Sequence, residues 1–149
     1  MEYRLATTDD MELLIDLRKR LLVEEGQTES SDIDEELRNF FEKQLNSGQF
    51  VQWIIEEDKN VLATGGIQFI SFPPSYSNST GIRGYILNMY TTPESRGRGL
   101  AKQLVERIFK EAQGRNVHHI FLISSPMGKP LYKKLGFKEN DIYMEYFIN

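Results

Sequence analysis

The segment Arg96-Gly97-Arg98-Gly99-Leu100-Ala101 sets two guanidinium groups among small residues where a strand-like run gives way to a helix-like one. The start of a helix leaves backbone N–H groups without partners and carries partial positive charge, so an anion seated there meets several donors at once. Gly97, Gly99 and Ala101 let such an anion approach the backbone, and Arg96 and Arg98 add charge without a metal. Two familiar phosphate motifs do not fit. A P-loop needs Gly-Lys followed by Ser or Thr, and a dinucleotide fingerprint needs a third glycine where this chain has Lys102. Glycine-rich turns between strand and helix are common, so these residues alone mark an anion site and leave its ligand open.

Other chemistry is narrowed by what the chain lacks. With no cysteine there is no thiolate nucleophile, disulfide or cysteine-based zinc site. His118 and His119 have no partner ligands at metal spacing and read as structural, so no metal is expected. Tyr132 falls in the last helical segment, where position alone reads as an amphipathic packing residue.

These groups need a scaffold, and the hydrophobic periodicity supplies one. After a short strand at Tyr3-Arg4-Leu5-Ala6, an Asp-x-x-Glu pattern at Asp9 and Glu12 predicts a helix start. Met11, Leu14, Ile15, Arg18, Leu21 and Leu22 recur at helical spacing to about Glu25, with Gly26 as the stop. Asp32 and Glu35 repeat the pattern before a second stripe of Ile33, Leu37, Phe40, Phe41 and Leu45. Phe50 to Glu57 and Val61 to Ile70 read as a hairpin about Asp58-Lys59-Asn60, and Gly84 to Thr91 as a buried strand stopped by Pro93. Leu100, Ala101, Leu104, Val105, Ile108, Phe109 and Ala112 then share one helical face, ended by Gly114. His119 to Ile123 reads as a strand parallel to its predecessor, Pro126 to Leu135 as a last helix, and Ile142 to Ile148 as a terminal hairpin strand. Residues 1–149 thus form one α+β domain.

Arg96-Gly97-Arg98-Gly99-Leu100-Ala101 resembles the R/Q-x-x-G-x-G/A signature of the GNAT superfamily of N-acetyltransferases, and it follows a strand and opens a long helix as that family's does. Tyr132-Lys133-Lys134-Leu135-Gly136-Phe137 is similar to the family's Y-x-x-x-G-F segment. The resemblance implies a central mixed, mostly antiparallel twisted sheet of about six to seven strands with about four helices. It also implies a splay between the strands at 84–91 and 119–124 that admits the pantetheine arm of acetyl-CoA. On that reading Met89, Tyr90 and Thr91 offer backbone to the pantetheine, and an N–H near Met89 or Tyr90 polarises the thioester carbonyl. Arg96, Gly97, Arg98, Gly99, Leu100 and Ala101 hold the pyrophosphate. Tyr132 protonates the leaving thiolate as an amine attacks through a tetrahedral intermediate.

The chain departs from the family pattern twice. Ser124, Ser125 and Pro126 stand where many members carry an asparagine, so a polar contact to the cofactor falls to Ser125. Tyr85 stands where some members place a catalytic glutamate. The proton acceptor for the amine is therefore unassigned: Glu25 is one candidate, Tyr85 with Asn88 could order a water chain, and Glu25, Tyr85 and Asn88 are the residues expected beside the acceptor. The loops Ser71 to Gly84 and Gly26 to Asp32 are expected to overhang that site, and the aromatic loop could equally pack against a second subunit in a homodimer.

A net charge of -4 argues against a nucleic-acid partner, no run is apolar enough to cross a membrane, and the charged start Met1-Glu2-Tyr3-Arg4-Leu5 is unlike an export signal. The expectation is a cytoplasmic transferase that acetylates a primary amine of a small molecule or peptide. The alternatives are a non-catalytic acyl-CoA sensor of the same fold, or a transferase of another acyl group.

Overall fold

In the computed structural model, which describes residues 1–149, five strands form one sheet in chain order: β1 (Glu2–Leu5), β2 (Phe50–Glu57), β3 (Asn60–Ser71), β4 (Ile82–Thr91) and β5 (Ile120–Leu122). Every neighbouring pair is antiparallel except β4 with β5, which is parallel. Helices α1 (Met11–Glu24) and α2 (Asp34–Ser47) lie between β1 and β2 in the chain. Helix α3 (Leu100–Gly114) supplies the crossover that a parallel pair requires, and α4 (Lys129–Lys134) follows β5.

Alternation along β2 explains the layering. Ile54 packs with Leu14, Ile15, Phe41 and Phe50 beneath α1 and α2, whereas its neighbour Ile55 packs with Leu62, Ala63, Leu100 and Leu104 beneath α3. Successive strand residues face opposite sides, so a sheet covered on both faces reads as a continuous apolar run. Ile54 and Ile55 are both fully buried, and each contributes about 1.5–3 kcal/mol relative to an exposed position. Ile67, Ile86, Ile108, Ala112 and Val117 extend the α3 side of the core toward β5.

Several expected boundaries shift for local reasons. The capping box at the first helix is made by Thr7 and Asp10, two residues earlier than the expected Asp9 and Glu12, and a 3-10 turn at Thr8–Asp10 precedes α1. Asp10 is also held by Arg4, whose guanidinium reaches its two carboxylate oxygens at 2.8 and 2.9 Å. Gly26 is left-handed as expected after α1, at φ +96°. Gly114 is not the stop for α3: it remains helical, and Asn116, at φ +58°, takes the left-handed position. The last helix is shorter than Pro126 to Leu135 because a turn fixed by the Ser125 carbonyl, which accepts from Gly128 and Lys129, precedes it.

The fold is the one the resemblance implied, with five strands where six to seven were expected. The anticipated terminal strand is absent, and Ile142, Met144, Tyr146 and Ile148 are exposed. Strand β5 spans three residues, and so short an edge offers few cross-strand pairs to offset the entropy of ordering a longer segment against it.

Candidate active site

Helix α3 begins with an open N-terminus. Its N-cap is Gly99, at φ +76°, and no side chain caps the first turn, so the leading N–H groups are available to a ligand. Gly97 is also left-handed, at φ +80°, and a Cβ at either glycine would meet nothing within 4 Å. Backbone conformation rather than crowding therefore selects glycine, since a side chain in that region costs about 1–2 kcal/mol. Arg96 is fixed beside this turn by two contacts: its Nε donates to the Thr91 carbonyl at 3.1 Å, and its Nη2 pairs with Glu24 at the end of α1. Arg98 turns to Glu57 instead, at 3.9 Å.

The strands beside the cradle separate. β4 pairs with β5 over Gly84–Ile86 and Ile120–Leu122, and from Leu87 to Thr91 its outer edge has no strand partner. On its inner edge the β3 register skips: Leu87 lies opposite Gly66 and Tyr90 opposite Thr64, which leaves Asn88 and Met89 facing Gly65 alone. This is a β-bulge, with Asn88 left-handed at φ +58°. A Cβ at Gly65 would stand 2.3 Å from the Met89 sulfur, so any larger residue there has to displace that side chain.

The bulge turns Asn88 into the buried end of a polar relay. Arg18 Nη1 on α1 donates to Asn88 Oδ1 at 3.1 Å, and Asn88 Nδ2 donates to Gln52 Oε1 at 3.4 Å. Gln52 Nε2 then donates to Thr64 Oγ1 at 2.8 Å, which in turn donates to the Trp53 carbonyl at 2.7 Å. Asn88, Gln52 and Thr64 are 5%, 1% and 1% exposed. Buried polar groups are tolerated only when satisfied in this way.

Together these elements enclose a cleft of about 970 Å³. The Ile86–Thr91 wall and the Leu122–Pro126 wall bound it, α1 contributes Arg18, Leu21, Glu24 and Glu25, and the α3 cradle and Tyr132 stand along it. Tyr132 is half-buried, and its phenol is pushed above the ordinary tyrosine range first by burial and then by the negative charge of Glu25. Its ring packs edge-on against Phe137 at 5.8 Å. Gly128 lets that ring close on the preceding turn, since a Cβ there would lie 3.0 Å from it. Tyr85 stacks on Phe121 at 5.0 Å. Ser125 Oγ accepts the Gly128 N–H at 3.2 Å, which leaves its own hydroxyl proton free.

Of the residues singled out in the sequence, Met89, Tyr90, Thr91, Arg96, Gly97, Gly99, Leu100, Ala101, Ser125, Tyr132, Glu25, Tyr85 and Asn88 share the cleft, and Arg98 does not line it. Gln27 from the Gly26 to Asp32 connection reaches the cleft, but nothing from Ser71 to Gly84 does. That loop leans the other way, with Phe72 against Phe121 and Arg83. It is organised by Asn78, 5% exposed, whose amide donates to the Ile82 carbonyl at 3.0 Å. A larger hollow of about 1560 Å³ lies on that far side of β5, and His118 and His119 line it. None of Arg96 to Ala101 lines it. Lys102 was not anticipated as a lining residue, and Arg18 was legible only as a charge interrupting an apolar helical stripe.

A parallel pair that splays beside an uncapped, glycine-bearing helix start defines a cleft with a seat for an anion at one end. Residues 12–137 match the acetyltransferase (GNAT) family, and the chain belongs to that family. It is similar over 98% of its length, at 46% identity and a TM-score of 0.96, to a protein of Clostridium acetobutylicum described as a predicted acetyltransferase and solved with acetyl-CoA; 95% of that chain is covered. A GCN5-related N-acetyltransferase from Ralstonia eutropha JMP134 matches at 30% identity and a TM-score of 0.90, over 98% of this chain and 97% of that one. Among curated relatives, glucosamine 6-phosphate N-acetyltransferases of Oryza sativa subsp. japonica and Trypanosoma brucei brucei are 28% and 27% identical over 44% and 53% of this chain. Those matches span only 39% and 54% of the relatives' own lengths.

Proposed function

We propose that this acetyltransferase moves the acetyl group of acetyl-CoA to a primary amine of a small molecule or peptide by direct attack, with Tyr132 as the general acid. The observation that carries the reading is the continuity of one cleft from the uncapped start of α3, past the unpaired edge of β4, to Tyr132. Pyrophosphate oxygens would accept from the α3 N–H groups beside Arg96, and the pantetheine would run along Met89 to Thr91. The amine nitrogen bonds to the thioester carbon, the tetrahedral intermediate collapses with loss of the carbon–sulfur bond, and the thiolate takes the Tyr132 proton. Glu25, close enough to perturb Tyr132, accepts the proton that the amine sheds. Tyr132 is protonated at neutral pH, as an unperturbed tyrosine with a pKa of about 10 also is, and so holds the proton that the thiolate takes.

The test is direct: acetyl-CoA titrated calorimetrically into the purified protein, and thiol release measured across a panel of amines. Amino sugar phosphates belong in the panel, since the curated relatives are named for one. Absence of both acetyl-CoA binding and thiol release across the panel would overturn the reading. Acetyl-CoA binding without turnover on any amine would favour a sensor, and faster turnover of succinyl-CoA or a longer acyl-CoA would reassign the acyl group.

A further inference from the structure

Arg18 is exceptional among the nine arginines of the chain. Arg4, Arg20, Arg38, Arg96, Arg98 and Arg115 each pair with a carboxylate, and Arg83 and Arg107 lie over aromatic rings. Arg18 has neither kind of partner. Its one recorded side-chain bond is to the neutral amide of Asn88, and a guanidinium carries five N–H donors. It also sits on the inward stripe of α1, half-buried, in the wall of the cleft. The amide that steadies it is anchored through Gln52 and Thr64 into the core. A positive charge held against the cleft by a buried relay, with donors to spare and no protein anion, is a binding site in want of an anion.

Its position identifies the ligand to which that anion belongs. The cofactor end of the cleft has its own cations, Arg96 and Lys102, beside the α3 start. Arg18 lies at the other end of the α1 wall from Glu25, seven residues away and on the same helical face, about 10 Å along the axis. Glu25 and Tyr132 line the same cleft, and the Glu25 charge acts on the phenol, beside which the reacting amine must stand. The wall that meets the acceptor is therefore bipolar, with a carboxylate near the reacting nitrogen and a guanidinium beyond it.

We infer that the acceptor is an amine that also bears an anionic group, a carboxylate or a phosphate, and that Arg18 binds that group. This rests on the acetyl-transfer reading above. Arg18 is a specificity residue that touches the substrate away from the reacting atoms.

The experiment compares matched amines that differ in the anion: glucosamine 6-phosphate against glucosamine for phosphate, and lysine against cadaverine for carboxylate. Two quantities are read, kcat/KM from thiol release and calorimetric affinity of each amine for the protein saturated with coenzyme A. The anionic member of at least one pair is preferred in the wild type, and the pair that shows it names the anion. In Arg18→Gln the preference falls by about 10- to 100-fold, through KM rather than kcat, as loss of a charge-assisted hydrogen bond dictates. Arg18→Lys recovers part of it, and acetyl-CoA affinity in both variants reports that the fold is intact. A wild type indifferent to the anion in both pairs, or an Arg18→Gln protein that keeps the full preference, overturns the inference while leaving acetyl transfer standing. Failure to turn over any amine strikes the underlying reading instead.

Discussion

Arg18 and Asn88 meet at 3.1 Å, guanidinium to amide oxygen, and this contact joins α1 to the bulge of β4 across the wall of the cleft. Asn88 is thereby committed on both sides, since its Nδ2 donates inward to Gln52. Asn88→Gly keeps the left-handed backbone free of strain but strips both contacts. It should lower stability by about 1–3 kcal/mol, the cost of leaving a buried acceptor on Gln52 unsatisfied. Urea unfolding measures it, and an unchanged midpoint would show that the relay carries no stability.

The α3 start separates conformational from electrostatic requirements. Gly99→Ala adds a methyl group into open space but at φ +76°, so it should cost about 1–2 kcal/mol of stability and weaken acetyl-CoA binding modestly. Gly99→Glu adds negative charge at the pyrophosphate position and should abolish binding in a calorimetric titration. Equal affinities for the two variants would place the pyrophosphate elsewhere.

Tyr132→Phe should reduce kcat by about 10²- to 10⁴-fold with acetyl-CoA affinity retained. Because burial and Glu25 disfavour the phenolate, the alkaline limb assigned to this acid lies above the usual tyrosine value of about 10. Glu25→Gln removes the like charge and should move that limb downward. The difference in phenolate absorbance between wild type and Tyr132→Phe during an alkaline titration reads it directly, and an upward move contradicts the assignment.

Acid stability should depend on Asp10. The hydrogen bonds from Arg4 hold its carboxyl below the ordinary value, with the Thr7 N–H assisting and burial opposing. A depressed carboxyl contributes stability in full above the unfolded value of about 3.9, and that contribution is lost as pH falls through the lower folded value. Asp10→Asn should therefore cost about 1–3 kcal/mol at pH 7 and progressively less below pH ~4. Urea unfolding of both proteins at pH 7 and in acid makes the comparison.

What the sequence revealed follows the range of the interaction. The stripes of α1, α2 and α3 and the hairpin of β2 with β3 arise from side-chain period, which local residues carry. The open start of α3 was legible because a helix start and its glycines are adjacent in the chain. The relay was not, because Arg18, Gln52, Thr64 and Asn88 come from four different elements and meet only once the sheet is packed. The Ser71 to Gly84 loop was assigned to the wrong side of β5 for the same reason: aromatic content says that a loop will pack, not on which face. The terminal segment Ile142 to Ile148 has strand-like residues, yet pairing depends on an edge long enough to receive it, and β5 provides three residues.

The bulge in β4 also separates what the sheet needs from what the cleft needs. Leu87 opposes Gly66 and Tyr90 opposes Thr64, so a strand one residue shorter at this point would run against β3 without interruption and leave every later pairing where it is. The pairing of β4 with β3 has no use for the extra residue. The extra residue serves the cleft instead: it carries Asn88 to the wall and to Arg18, so its deletion would remove a cleft residue while the sheet keeps its shape.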